Sequence, residues 1–150
     1  MYKRIMVAID GSKTSHRALK QAIKLAKDQR AVLRLVHVVD EIPTYIAMSE
    51  APYSIEDYRS LMRESGRKVL AAAGAKAKAG RVKFDTKLAT MSGLSTRIWE
   101  VMNKEAKRWH ADLFVIGTHG RRGFDRFVLG SVAEGVIRLS ETPILVIHGR

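Results

Sequence analysis

Along this chain the spacing of apolar residues alternates between two patterns. Tyr2–Ile9 reads as a buried strand, followed by the turn Asp10-Gly11-Ser12 with Ser12 placed to cap a helix. From Ser12 to Arg30, residues Ala18, Leu19, Ala22, Ile23, Leu25 and Ala26 recur at helical spacing and form one apolar face. Val32–Val39 is a second strand, and Asp40 to Pro52, with Pro43 inside it, reads as a loop. Ile55 to Ala79 is expected to be helical, with Gly66 and Gly74 as interruptions. In Val82–Ala89 the apolar or β-branched Val82, Phe84, Thr86 and Leu88 alternate with Lys83, Asp85 and Lys87. That period predicts a strand covered on one face and wet on the other. A helix from Ser95 to Trp109, a strand at Leu113–Ile116, a helix over Ser131–Leu139 and a strand at Ile144–Ile147 behind Pro143 complete the pattern.

The order β-α-β-α-β-α-β-α-β implies an α/β fold, a parallel sheet with helices on both faces. Right-handed crossovers leave few topologies open. At 150 residues the chain is expected to form a single domain, 1–150, with a substantial core. No apolar run approaches the roughly 20 residues of a membrane helix. The first apolar stretch meets Asp10 too early for a signal peptide, so the cytoplasm is the expected compartment. Without cysteine there is neither a disulfide framework nor thiolate chemistry.

The net charge of +12 makes anionic partners plausible without bearing on the fold. Positive charge concentrates in Arg67, Lys68, Lys76, Lys78, Arg81, Lys83 and Lys87, with Asp85 the one acid among them. Nucleic-acid modules interleave aromatic residues for stacking. Only Phe84 falls inside this cluster, which favours a solvated face over a nucleic-acid surface. His16, His37, His110 and His148 show no metal-ligand spacing and read as structural, and packing accounts for Trp99 and Trp109.

The chemistry concentrates between Ala111 and Ser131. An apolar strand ends at Gly117, a basic glycine-bearing loop follows, and Gly130-Ser131 opens an amphipathic helix. Helix N-termini present unpaired N–H groups and about half a positive charge, and glycine lets a phosphate approach the backbone. The spacing Gly117-x2-Gly120-x9-Gly130-Ser131 fits neither a Rossmann G-x-G-x-x-G nor a Walker G-x-x-x-x-G-K-[ST]. If the strands ending at Asp10 and Gly117 are neighbours, they line one crevice. Asp10 then has two compatible roles, accepting a ribose hydroxyl and forming the turn before the first helix.

This glycine spacing, in a chain that alternates throughout, resembles the universal stress protein family. So do the opening Ile-Met-Val-Ala-Ile-Asp-Gly-Ser, the strand Leu-Val-His-Val-Val, and the ending Gly-Ser-Val-Ala-Glu with Thr-Pro-Ile-Leu-Val-Ile. The glycine pattern resembles the ATP-binding branch. The resemblance implies an open, doubly wound, Rossmann-like parallel sheet of five strands in order 3-2-1-4-5. It implies that Asp10 is the ribose-side carboxylate, with Ala8 beside it, and that the backbone of Val38 recognises the adenine edge. Gly117 and Gly120 would border ribose and phosphates with His119 between them. Gly130, Ser131 and Val132 would offer N–H groups to the phosphates, and the Ser131 hydroxyl one further donor. ATP is the implied ligand, with Mg²⁺ bridging phosphate oxygens.

Two positions depart from the family pattern. Ala133 stands where relatives often carry Ser or Thr, removing a hydroxyl expected near the phosphates, and the Ser95–Trp109 helix reads about one turn long. Arg121, Arg122 and Arg126 either clamp the phosphates or keep the loop soluble, while Phe124, Phe127, Val128 and Leu129 read as buried anchors. No nucleophile–base arrangement points to efficient hydrolysis. The expected function is a nucleotide-dependent stress regulator with at most slow ATP turnover. The rivals are a stress protein with a vestigial site that works through protein contacts, and a basic nucleic-acid-associated protein. In the 3-2-1-4-5 order Ile144–Ile147 is an apolar edge, which implies a homodimer through that strand.

Overall fold

The computed structural model describes residues 1–41, 54–91, 95–118 and 129–148. Its elements run β1 (Arg4–Ala8), α1 (Lys13–Gln29), β2 (Val32–Asp40), α2 (Ile55–Ala79), β3 (Lys83–Met91), α3 (Ile98–Trp109), β4 (Leu113–Gly117), α4 (Ser131–Leu139) and β5 (Ile144–Ile147). The strands form one parallel sheet in the order β3-β2-β1-β4-β5, as expected. Successive side chains of a strand point to opposite faces, so each central strand supplies two cores. Ile5 and Val7, with Leu33, Leu35 and Val115, pack beneath α1 and α2. Met6, with Val36, Phe114 and Ile116, packs beneath α3 and α4.

Two expectations need correction. The helix anticipated from Ser95 begins at Ile98, so the extra turn does not form. Arg97 has extended backbone (φ −104°, ψ 148°), and its N–H donates to the Glu100 carboxylate at 3.3 Å. That exchange satisfies an N-terminal donor and stops the helix there. Nor is the polar face of β3 simply wet. The Arg34 guanidinium on β2 donates to both oxygens of Asp85 at 2.7 and 2.8 Å and to Glu105 of α3 at 3.0 Å. Glu105 also accepts from Arg108 at 2.6 Å and is buried. The Trp109 ring completes the cluster, with the guanidinium carbons of Arg34 and Arg4 at 4.7 and 5.2 Å from its centroid. Trp99, the other tryptophan of α3, lies against Gly135 of α4.

The interruptions anticipated in α2 are points of close approach. A Cβ at Gly66 would lie 2.6 Å from Leu88 Cδ1 and 2.9 Å from both His37 Cδ2 and Val39 Cγ2. At Gly74 the nearest atom would be Phe84 Cε2 at 3.1 Å. Alanine in a helix interior gains about 1 kcal/mol over glycine, whereas overpacking a fitted contact costs about 1–3 kcal/mol. Gly66→Ala is therefore expected to lower the urea midpoint, while Gly74→Ala stays close to neutral. The reverse ranking would contradict the close-approach account.

The Arg34 cluster yields a second test. Removing one partner of a buried ion pair strands the other charge, at about 3–5 kcal/mol for a fully buried pair. The Arg34 side chain is 20% exposed and Asp85 keeps water access, so Arg34→Leu is expected to cost about 2–4 kcal/mol. Adding Glu105→Leu should restore most of that loss in urea titrations, because the stranded carboxylate is then gone. Additive losses would show that Arg34 acts by packing alone.

Candidate functional site

The sheet's winding reverses at β1, which pairs with β2 on one side and β4 on the other. Ligands of doubly wound sheets sit outside the carboxyl ends of strands at such a reversal. Here Ala8, Asp10, Gly117 and the N-terminus of α4 meet at that end.

After β1 the chain closes into a tight hydrogen-bonded turn. Gly11 takes φ +80°, a backbone that side chains rarely adopt. Asp10 Oδ1 accepts the Ser12 N–H at 2.8 Å, and the Asp10 N–H donates to Ser15 Oγ at 3.2 Å. Ser12 Oγ accepts the Ser15 N–H at 3.1 Å and caps α1. The turn-forming role of Asp10 is thus present in the fold.

Val38 lies beyond the last register pair between β1 and β2, Ala8↔Val36. Val36 C=O accepts the Ile9 N–H at 2.8 Å. Backbone polar groups alternate sides along a strand, so Val38 directs its N–H and C=O to the side that β1 has vacated. The Ile9 carbonyl turns instead to His37, whose ring Nδ1 donates to it at 2.6 Å. His37 is therefore structural, as expected, and holds the end of β1 in place.

Gly117 has a packing role that its motif did not reveal. A Cβ there would sit 2.7 Å from Thr14 Cγ2 and 3.2 Å from Thr14 C, so glycine admits the first turn of α1 against the end of β4. Thr118, also overlooked in the sequence, is buried and couples three elements. Its N–H donates to Ile147 O at 2.9 Å, and its carbonyl accepts the Gly130 N–H at 2.8 Å. The Gly130 N–H, which the resemblance assigns to the phosphates, thus donates to Thr118 in this structure.

Gly130 is the N-cap of α4, with φ −64° and ψ 149°, and its carbonyl accepts from Glu134 N. As glycine, this N-cap has no side chain with which to cap the helix. The N–H groups of Ser131 and Val132 belong to a first turn that lacks intrahelical acceptors. Ala133 is 3% exposed and packs in the core beneath α4, so a hydroxyl at this position would face the core. His119 and Gly120 lie outside the described residues, as do Arg121, Arg122, Phe124, Arg126, Phe127 and Val128. Among the described residues no three His, Cys, Asp or Glu side chains gather as a metal site. No described helix is long and apolar enough to cross a membrane.

Residues 1–148 match the universal stress protein family. The chain is 34% identical to universal stress protein MJ0531 of Methanocaldococcus jannaschii over 98% of its length and 82% of that protein. It is also 34% identical to universal stress protein YxiE of Bacillus subtilis, over 99% of its length and all of that protein. A universal stress protein solved in complex with cAMP superposes with a TM-score of 0.71 at 25% identity, covering 99% of each chain. The chain thus belongs to the universal stress protein family.

Proposed function

We propose that this chain is an adenine-nucleotide-binding regulator of the stress response, acting in the cytoplasm by occupancy of its site more than by turnover. The observation that carries the reading is the N-terminus of α4, which begins at a glycine N-cap near the reversal of sheet winding. Family membership supports it, as does the relative solved with cAMP. In this reading Ser131 and Val132 donate backbone N–H groups to the phosphates, with the Ser131 hydroxyl beside them. Gly130 contributes clearance and its helix-capping backbone. Asp10 accepts from the ribose, Ala8 lies beneath it, and Val38 meets the adenine edge with backbone groups. Gly117, His119 and Gly120 border the sugar and phosphates. The preferred ligand is ATP, with Mg²⁺ held by phosphate oxygens and water.

Thermal melts with Mg-ATP, Mg-ADP, cAMP and Mg-GTP test this reading. A ligand at 100 times its Kd adds about 2.7 kcal/mol, which at this size raises Tm by about 5–10 °C. Adenine nucleotides are expected to give that shift and Mg-GTP a smaller one. Gly130→Val should abolish the shift and leave the unliganded Tm within a few degrees, since its negative φ suits any residue. Absence of a shift with every adenine nucleotide would favour a vestigial site acting through protein contacts.

The quaternary proposal is a homodimer through β5, which pairs only with β4 among the described residues. Pro143 O and Ile147 O accept from β4 and its extension, so Ile144 and Val146 turn their backbone groups outward. Exposed Ile137 and Leu139 on neighbouring α4 extend the apolar surface. Light scattering is expected to give twice the 16.8 kDa chain mass. Val146→Pro removes an outward donor without removing a bond to β4, and should yield a folded monomer. A dimer unaffected by that change would place the interface elsewhere.

A further inference from the structure

The nucleotide reading leaves the basic cluster of α2 and β3 unexplained, and two of its members, Arg67 and Lys78, stand at one groove. Between α2 and the edge strand β3 lies an open groove of about 630 Å³. Its lining is largely apolar, from Leu70, Ala71 and Ala75 of α2 and Phe84 and Leu88 of β3. Ala71 and Ala75 are exposed, stand four apart on one face of α2, and offer a low ridge against which a helix can pack closely. Phe84 and Leu88 share one face of β3, about 13 Å apart at strand rise, comparable to two turns of a helix.

The rim of this groove is cationic. Arg67 and Lys78 line it directly, whereas Lys83 and Lys87 alternate with Phe84 and Leu88 and lie on the opposite face of β3. Neither Arg67 nor Lys78 makes an ion pair among the described residues. Two acids in the same region are engaged elsewhere: Asp85 by Arg34 and Glu64 by Lys68. The macrodipole accounts for Lys76 and Lys78 in the last turn of α2. It does not account for Arg67, which lies near the middle of α2.

We propose that this groove docks an acidic amphipathic helix of a partner protein, its apolar face on Ala71, Ala75, Phe84 and Leu88 and its carboxylates on the cationic rim. Charge complementarity selects an acidic partner, and the recessed apolar floor selects a segment with side chains to insert. Single-stranded nucleic acid fits less well, because Phe84 is the only aromatic residue lining the groove and stacking requires several. A membrane surface fits less well too, since it engages protruding apolar side chains and not recessed ones.

The test is selection of a displayed random 16-residue peptide library on the purified protein, followed by fluorescence titration of the enriched peptides. Enriched sequences are expected to be net acidic with apolar residues at i, i+3 or i+4, and i+7. Scrambling their order at constant composition should weaken binding at least tenfold. Ala75→Glu introduces an exposed charge into the groove at a position where helix propensity is little changed, and should also weaken binding at least tenfold. Arg67→Glu should weaken binding severalfold and flatten its salt dependence. Enriched peptides insensitive to Ala75→Glu, or equal binding by scrambled peptides, would overturn the proposal. So would failure to enrich any peptide, or an oligothymidine probe that binds more tightly than every peptide. Circular dichroism and thermal melts of each variant separate loss of the groove from loss of the fold. Retained nucleotide shifts in the same variants keep this outcome independent of the α4 site.

Discussion

The burial of β1 on both faces is the constraint from which the architecture follows. Ile5, Met6 and Val7 are fully buried, and their alternation sends successive side chains into opposite cores. Such a strand must have neighbours on both edges and helices on both faces. The chain builds outward through β2 and β3 on one side, then crosses to β4 and β5 on the other. With right-handed crossovers, that change of direction puts α1 and α4 on opposite faces. The segments leaving β1 and β4 therefore diverge, and a crevice opens between them. The burial of three consecutive apolar residues and the position of the candidate site thus have one cause.

The two ends of the sheet are held by different means. At the N-terminal end, side-chain charge does much of the work. Asp112 accepts from the N–H groups of Lys3 and Arg4, and Arg4 reaches the Trp109 carbonyl at 2.9 Å. Nearby, Arg34 ties β2 and β3 to α3 through Asp85 and Glu105. Buried ion pairs contribute little net stability against apolar replacements, but an unmatched partner is costly, so they discriminate against shifted registers. At the C-terminal end backbone groups predominate: Thr118 with Ile147 and Gly130, and Ile9 with Val36 and the His37 ring.

The nine described elements were legible in the sequence because each carries a recognisable period and a clear stop, and their ends move by three residues or fewer. What stayed illegible depends on pairs of residues far apart in the chain. Arg34 sits in a run that reads as a plain apolar strand, and only the fold brings Asp85 and Glu105 to it. Gly66 looks like a weakness in a helix until Leu88, His37 and Val39 are placed against it. At the candidate site the motif marked the right strand end and helix start, but not the division of labour between its glycines. Gly117 answers to Thr14, and the N–H of Gly130 answers to Thr118. Sequence spacing locates a loop, whereas the purpose of each glycine depends on what approaches it.

That division changes how the motif should be read. A glycine that admits a neighbouring helix would persist in a member that binds nothing, so Gly117 by itself does not separate binding from vestigial sites. The contrast between the two helix starts at the crevice is more informative. Ser12 closes α1 with its own hydroxyl, whereas Gly130 leaves α4 without a side-chain cap. Exchanging a good N-cap for glycine costs only a few tenths of a kcal/mol. Leaving the α4 start without a side-chain cap is therefore nearly neutral for folding, and the fold itself does not require it, since α1 starts at the same end of the sheet with a cap. In the proposed reading the first-turn donors of α4 serve the phosphates, and an anion there gains from both the N–H groups and the helix dipole. In this chain the pairing of a Ser-capped helix start with a glycine-capped one, more than the number of glycines, is what favours the nucleotide proposal.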